Sequence, residues 1–376
     1  MTEDLLMKRS RYLTFLGASF LAVGAMSSLT AGRPASSTLG AVFAAHPMLE
    51  PRSGHSATLL SDGRVLIAGG MRRNQDFYRS AEVYDPVTNT FRVTGDLNTR
   101  RVGHAAVLLR SGKVLIAGGW IGRGCTDSAE LYDPATGKFT PIAKMNSCRG
   151  RPSVTLLDDG DVLIGGGGDS GGPDGIAAAE LFHETSLSFE RIPSMHYARI
   201  AHTATLLGDG RVLIAGGRGD TVTATAELYD PRRKQFVTTG SLITARYKHT
   251  AGLLLDGKVL VAGGSDDHDW HGTMSSAEIY DPHTGKFAAT SHLNESRFKL
   301  PDDAVLLASG QMLIAGGSRE VELYDPPSGK FLVVPGQLSD SWHFMTETLL
   351  KDGRVLLAGG YPDSDQATSQ TWIYRR

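Results

Sequence analysis

One unit recurs seven times along the chain. It is a strand ending in Leu-Leu, an Asp-Gly or Ser-Gly turn, a strand of the form Val-Leu-Ile-Ala-Gly-Gly, then Ala-Glu-x-Tyr-Asp-Pro and a Phe. The second copy spans Gly103 to Phe139, and the Leu-Leu pairs begin at Leu59, Leu108, Leu156, Leu206, Leu253, Leu306 and Leu349. Their spacings of 43 to 53 residues suit four strands joined by loops of variable length. Self-similarity at this period, with four strands per copy, predicts an all-β fold: a seven-bladed β-propeller with four antiparallel strands in each blade. The last copy stops at Tyr374 with only three strands, which would leave an open edge. Phe43 to Leu49 aligns with Phe91 to Leu97, so Ala41 to Met48 is expected to supply the missing outer strand and close the last blade. A six-bladed ring with one divergent copy outside it is the alternative.

The units resemble kelch repeats. Seven Gly-Gly pairs, from Gly69-Gly70 to Gly359-Gly360, each follow an apolar strand. Aromatic pairs then keep a gap of six residues: Tyr84/Phe91, Tyr132/Phe139, Phe182/Phe189, Tyr229/Phe236, Tyr280/Phe287 and Tyr324/Phe331, with Phe where the family carries Trp. The resemblance implies a ring closed by its N-terminal strand, and it admits both binding proteins and enzymes. Galactose oxidase-like relatives carry a copper centre that includes an adjacent Tyr-His dipeptide. Here only His196-Tyr197, in reverse order, and Tyr247, two before His249, come near it, so no copper ligand carries over and no metal or cofactor is expected.

The segment before the repeats reads differently. Lys8 to Arg11 precede an apolar run from Tyr12 to Met26, too short for a membrane span but suited to a signal peptide. Residues 1–32 are expected to form a signal peptide, or an uncleaved hydrophobic anchor, beginning at Met1 or Met7. Residues 33–376 form the propeller. A secreted or periplasmic monomer follows, with no other membrane association. A net charge of −2 and the lack of a basic stripe argue against a nucleic-acid partner. Export also permits a disulfide. Cys125 and Cys148 flank the Tyr132/Phe139 hairpin within about one pair of the same register, so a bond between them is expected. Two free, semi-buried thiols are the other possibility.

An Arg-x-x-His pattern precedes the inner strands at Arg52/His55, Arg101/His104, Arg199/His202 and Arg246/His249. Arg149 keeps the Arg, with Pro152 for the His. Aligned on the Leu-Leu pairs, unit six offers Lys299 and Asp302 here, and unit seven offers Trp342 and Met345. These arginines could ring one mouth of the channel and take an anionic ligand. Six units carry a Glu on the third strand, Glu82, Glu130, Glu180, Glu227, Glu278 and Glu322, and the favoured reading is pairing within a blade, since unit seven lacks both partners: Trp372 stands at its Glu position. The histidines read as hydrogen-bonded strand starters. Loops on the same face place Trp120, Trp270 and Trp342 as candidate contacts for a sugar or a protein. Asp302, Asp303, His343 and Glu347, from the two units that depart most from the repeat, are the candidate acid–base groups. The loop Ser265 to His271 matches no metal motif, and Gly168 to Gly175 reads as turn chemistry. The expected function is an exported binding module for a carbohydrate or protein partner. A carbohydrate-active enzyme resembling sugar isomerases, and an inert scaffold, are the alternatives.

Overall fold

In a computed structural model of the chain, residues 39–122, 124–169, 175–362 and 366–376 are described. The expected signal segment, residues 1–32, and most of the Gly168 to Gly175 loop fall outside them. Seven four-stranded antiparallel sheets form, each a meander from inner to outer strand. The inner strands touch their neighbours on both sides and close a circle, with Ser56–Leu59 against both Ala105–Leu108 and Thr346–Leu349. The last sheet is completed by Ala41–Ala44, which pairs with Thr371–Arg375 in the register Val42↔Tyr374. The N-terminal segment therefore closes the ring. Among the described residues, no helix is long and apolar enough to cross a membrane.

The strand patterns explain the layering. Each second strand, such as Val65–Ala68 or Val212–Ala215, is buried on both faces and is apolar throughout. Outer strands such as Thr90–Val93 bury one residue and expose the next two. The hydrophobic clusters span blade boundaries: Leu66, Ala68, Val83 and Leu97 of blade 1 pack against Val114, Ile116 and Tyr132 of blade 2. The third and fourth strands of six blades are pinned by tilted aromatic pairs such as Tyr84 and Phe91, ring centroids 4.8 Å apart.

The Gly-Gly pairs answer to blade packing as well as to turning. At Gly216 φ is +62°, and a Cβ would lie 2.5 Å from the Arg246 carbonyl oxygen and 2.8 Å from Cε1 of His249 on the next blade. No larger residue fits while blades 4 and 5 keep this spacing.

Candidate functional site at the channel mouth

The six Glu-bearing blades share one internal ion pair. Arg52, Arg101, Arg149, Arg199, Arg246 and Arg297 are at most 1% exposed. They pair with Glu82, Glu130, Glu180, Glu227, Glu278 and Glu322. In blade 5, Arg246 donates to the carbonyls of Gly263 (2.7 Å) and Ser276 (2.9 Å), and to Glu278 (2.9 Å). Glu278 also accepts the backbone N–H groups of Ile243 and Thr244 from the incoming connection. These guanidiniums spend their terminal N–H groups inside the blades and do not line the mouth. As a ligand ring they are ruled out by burial; they fasten each connection to its blade.

The sixth arginine corrects the sequence alignment. From Arg to the Leu-Leu pair there are seven residues in blades 1 to 5 but nine from Arg297 to Leu306. Two extra residues displaced Lys299 and Asp302 into an alignment they do not hold in space. In blade 7 the pair is replaced by stacked indoles, Trp342 and Trp372, with centroids 6.0 Å apart. Trp342 is buried in the core between blades 6 and 7 and cannot serve as a surface contact.

Two residues after each Arg, or after Trp342, the chain turns left-handed. The positions are Gly54, Gly103, Arg151, Ala201, Lys248, Lys299 and Phe344, with φ between 50° and 58°. Backbone hydrogen bonds link neighbouring blades there: Gly103 N–H to Gly54 O (2.8 Å), Arg151 to Gly103 (2.7 Å), Lys248 to Ala201 (2.9 Å), Phe344 to Lys299 (2.8 Å) and Gly54 to Phe344 (3.0 Å). This belt encircles the channel entrance. Glycine suits the conformation, yet four positions carry long or bulky side chains, each at a cost of about 1–3 kcal/mol. The residues just before the belt bridge to the loops between second and third strands, as in Val102↔Trp120, Tyr247↔Ser265 and His343↔Tyr361, so both loop sets share one face.

Below the belt lies a cavity of about 230 Å³, lined in part by His55, Arg151, Asp302, Asp303, Phe344 and Glu347. Arg151 lies 4.1 Å over the Phe344 ring and 3.3 Å from Asp302 across the channel. Among the described residues, the Asp303 carboxyl has no hydrogen-bond or ion-pair partner. Asp302 and Asp303 face the void and stay accessible to solvent there, Asp302 with half of its side chain exposed, although the channel walls crowd around them. Burial raises Asp302, and Arg151 opposes the rise. Burial, then the adjacent Asp302, pushes Asp303 up to about 7. Burial pushes Glu347 up to about 8, against its hydrogen bond from Ala315 N–H and the field of Arg297. The channel histidines are neutral: burial and nearby arginines hold His55 and His202 at about 3. Each histidine bonds a hydroxyl of the preceding blade, as His202 Nε2 does with Ser153 Oγ (2.9 Å). They serve as latches between blades.

Over blades 5 to 7 the rim carries an aromatic nest. The Lys299 ammonium sits 3.6 Å from the Trp270 ring centroid and 2.8 Å from Tyr361 Oη. Phe298 and His343 meet Trp270 edge-on at 4.8 and 4.9 Å. Trp270 is 41% exposed and remains a candidate contact. His343 is 2% exposed behind it, which removes it from the acid–base candidates. Trp120 is half-buried, lying where a Cβ on Gly150 would come within 2.1 Å of its ring, so it chiefly covers blade 3. Lys248 and Asp269 pair at 2.6 Å beside this nest. Cys125 and Cys148 are bonded, with Cα atoms 5.4 Å apart.

Sequence reasoning missed Arg297, Arg151, Lys248, Phe344 and Tyr361. Aligning the six Arg-x-x triplets with Trp342-x-x would have exposed Arg297, and reading the third residue of each would have exposed Arg151, Lys248 and Phe344. Residues 51–98, 100–146 and 246–290 match the Kelch motif, covering blades 1, 2 and 5. No curated protein matches the sequence. Among solved structures, the chain is similar to a fungal alcohol oxidase of the AA5 family, in complex with copper. The TM-score is 0.72 at 16% identity, over 89% of this chain and 76% of that one.

The donor set here does not fit copper. The two cysteines are bonded to each other, and the described residues hold no group of three or more His, Cys, Asp or Glu placed to bind a metal. The fold is shared: seven meanders with Gly-Gly strands make this chain a β-propeller, and three of its blades match the Kelch motif.

Proposed function

We propose that the protein is an exported binding module whose ligand is a carbohydrate seated in the channel mouth. The observation that carries this reading is the asymmetry of the belt. Gly54, Gly103 and Ala201 put little or no side chain into the mouth at blades 1, 2 and 4, while Arg151 and Phe344 stand over a cavity about the size of one sugar ring. Such a pocket offers what a saccharide needs: a guanidinium and carboxyls for paired hydroxyls, and flat aromatic surface for the C–H face. Trp270 extends that surface to the rim. Export is supported by the basic-then-apolar N-terminal segment and by the disulfide, which persists in oxidising compartments.

The test is a glycan array followed by titration calorimetry on the hits. Arg151→Ala and Asp302→Asn should each weaken binding at least tenfold, about 1.4 kcal/mol. Trp120→Phe should bind as wild type. Saturable binding to a protein and to no glycan, unaffected by Arg151→Ala, would refute the carbohydrate assignment. A second reading rests on Asp302 and Asp303, adjacent carboxyls both raised but only Asp302 restrained by Arg151, which suits an acid and a base acting on one sugar. It predicts catalysed interconversion of a bound sugar, visible by NMR and abolished in Asp303→Asn.

A further inference from the structure

Blade 6 does not complete its own sheet. In the other blades the last residue of the second strand faces the first residue of the inner strand, as in Ser56↔Ala68, Thr203↔Ala215 and Thr346↔Ala358. Blade 6 pairs only Val305↔Leu313 and Leu306↔Met312. Continuing that register would set Asp303 opposite Ala315. Instead Asp303 bridges in parallel to Ala251, on the inner strand of blade 5. Ala251 N–H donates to Asp302 O (3.2 Å), and Ala304 N–H donates to Ala251 O (2.9 Å). The segment has left its own sheet for the free inner edge of the neighbouring one.

Two other departures from the repeat sit at this junction. Gly252 stands where the other blades carry Thr or Val, and a Cβ there would lie 2.6 Å from Met312 Cε. Glu347 stands where the other blades carry Ala or Val. Its Oε1 accepts the Ala315 N–H at 2.7 Å, the donor that the diverted segment would otherwise have served. A buried backbone N–H without a partner is costly, so this carboxyl replaces a missing strand carbonyl.

We propose that Glu347 is a positioning residue: by taking the Ala315 N–H in place of the diverted backbone, it holds Leu300 to Ala304 against blade 5 and so fixes Asp302 and Asp303 in the channel. Their role in ligand binding rests on the reading above; the positioning itself does not. Burial keeps the Glu347 carboxyl protonated at neutral pH, so a neutral amide of the same shape should substitute for it.

The experiment is hydrogen–deuterium exchange by mass spectrometry on peptides covering 300–306 and 312–318, in the full chain and without ligand. Glu347→Ala should speed exchange in both peptides by about tenfold or more, the size of one lost buried hydrogen bond. Peptides covering 114–117 and 212–215 should not change. Glu347→Gln should stay close to wild type, because its carbonyl oxygen can accept the same N–H. A second arm deletes Pro301 and Asp302, restoring the seven-residue spacing from Arg297 to Leu306. In that background Glu347→Ala should no longer accelerate exchange at 312–318, because Asp303 can return to face Ala315. Equal acceleration by Glu347→Ala with and without the deletion, or failure of Gln to rescue, would overturn the assignment. Glycan binding lost in Glu347→Ala but kept in Glu347→Gln would join the two readings; absence of any glycan binding would sink only the earlier one.

Discussion

Breaking one buried ion pair should cost far more than removing both of its members. In blade 5, Arg246→Met leaves Glu278 with two backbone N–H donors but no cation, and strips acceptors Gly263 O and Ser276 O of their partner. Both side chains are essentially inaccessible to water, so solvent cannot compensate. A buried charge left alone costs about 3–5 kcal/mol, whereas replacing a whole buried pair with packed apolar groups is often neutral or stabilising. For a propeller of roughly 340 residues the unfolding entropy is about 0.7 kcal/mol per degree, so Arg246→Met should lower Tm by about 4–7 °C. Glu278→Met should cost at least as much, since it also orphans Ile243 and Thr244 N–H. The double variant should recover part of this loss, leaving chiefly the cost of the orphaned backbone groups. Blade 7 shows that the fold tolerates the exchange, with Trp342 and Trp372 stacked in the same two positions. Differential scanning calorimetry and urea unfolding of the four proteins complete a double-mutant cycle. Additive losses, with the double variant as unstable as the sum of the singles, would refute the argument from uncompensated charge.

Gly216→Ala, which must place its Cβ 2.5 Å from Arg246 O, should destabilise by more than about 3 kcal/mol, while Gly208→Ala, with open space around it, should stay within about 0.5 kcal/mol in the same urea titration. His202 is held at about 3 in the fold but titrates near 6.5 when unfolded, so the unfolded chain alone takes up its proton and stability falls as pH drops from about 6.5 towards 3. His202→Gln should flatten that acid limb by up to about 1.4 kcal/mol per pH unit, and an unchanged slope between pH 4.5 and 6.5 would contradict it. Asp303 has the opposite sign: its folded value is raised to about 7, so the stability linked to its proton is lost as pH rises through 7. Asp303→Asn should therefore gain more in Tm over wild type at pH 8 than at pH 5. Reducing the Cys125–Cys148 bond, which closes a loop with a sequence separation of 23, should lower stability by about 3 kcal/mol at constant pH, measured with and without reductant.

The blade plan was legible because it is written in local chemistry. Asp-Gly or Ser-Gly turns, strands of the Val-Leu-Ile-Ala type and a constant aromatic gap each specify short-range geometry; the first two recur in seven copies and the third in six. Closure by Ala41–Ala44 was legible for the same reason, although the alignment was one residue out: Val42, not Phe43, faces Tyr374 as Phe91 faces Tyr84, and Phe43 is exposed. Even the Arg–Glu pairing could be read, because blade 7 loses both residues together. The belt was not legible. Its residues share a backbone conformation, not a side-chain type, so Gly54, Arg151 and Phe344 look unrelated in sequence although all have φ near 50–58°. Exposure of the tryptophans was equally hidden: Trp342 is buried by Trp372, and Trp120 is seated by two glycines, Gly150 and Gly168, from another blade.

The least legible feature is the most specific one. A two-residue insertion is invisible when repeats are aligned on the strands that follow it, which is why Arg297 was passed over for Lys299. In space the insertion has consequences on three blades. It moves backbone from blade 6 onto Ala251 of blade 5, requires room at Gly252, and leaves an N–H that Glu347 of blade 7 accepts. None of these changes helps the ring close; the other six blades close without them. Together they bring carboxyls, Asp302 and Asp303, to a channel otherwise lined by small residues, hydroxyls, neutral histidines, Arg151, Phe344 and Glu347. A departure that gathers three carboxyls at the channel and is accommodated on two neighbouring blades is hard to explain by stability, and that is the physical reason to propose this junction as the ligand site.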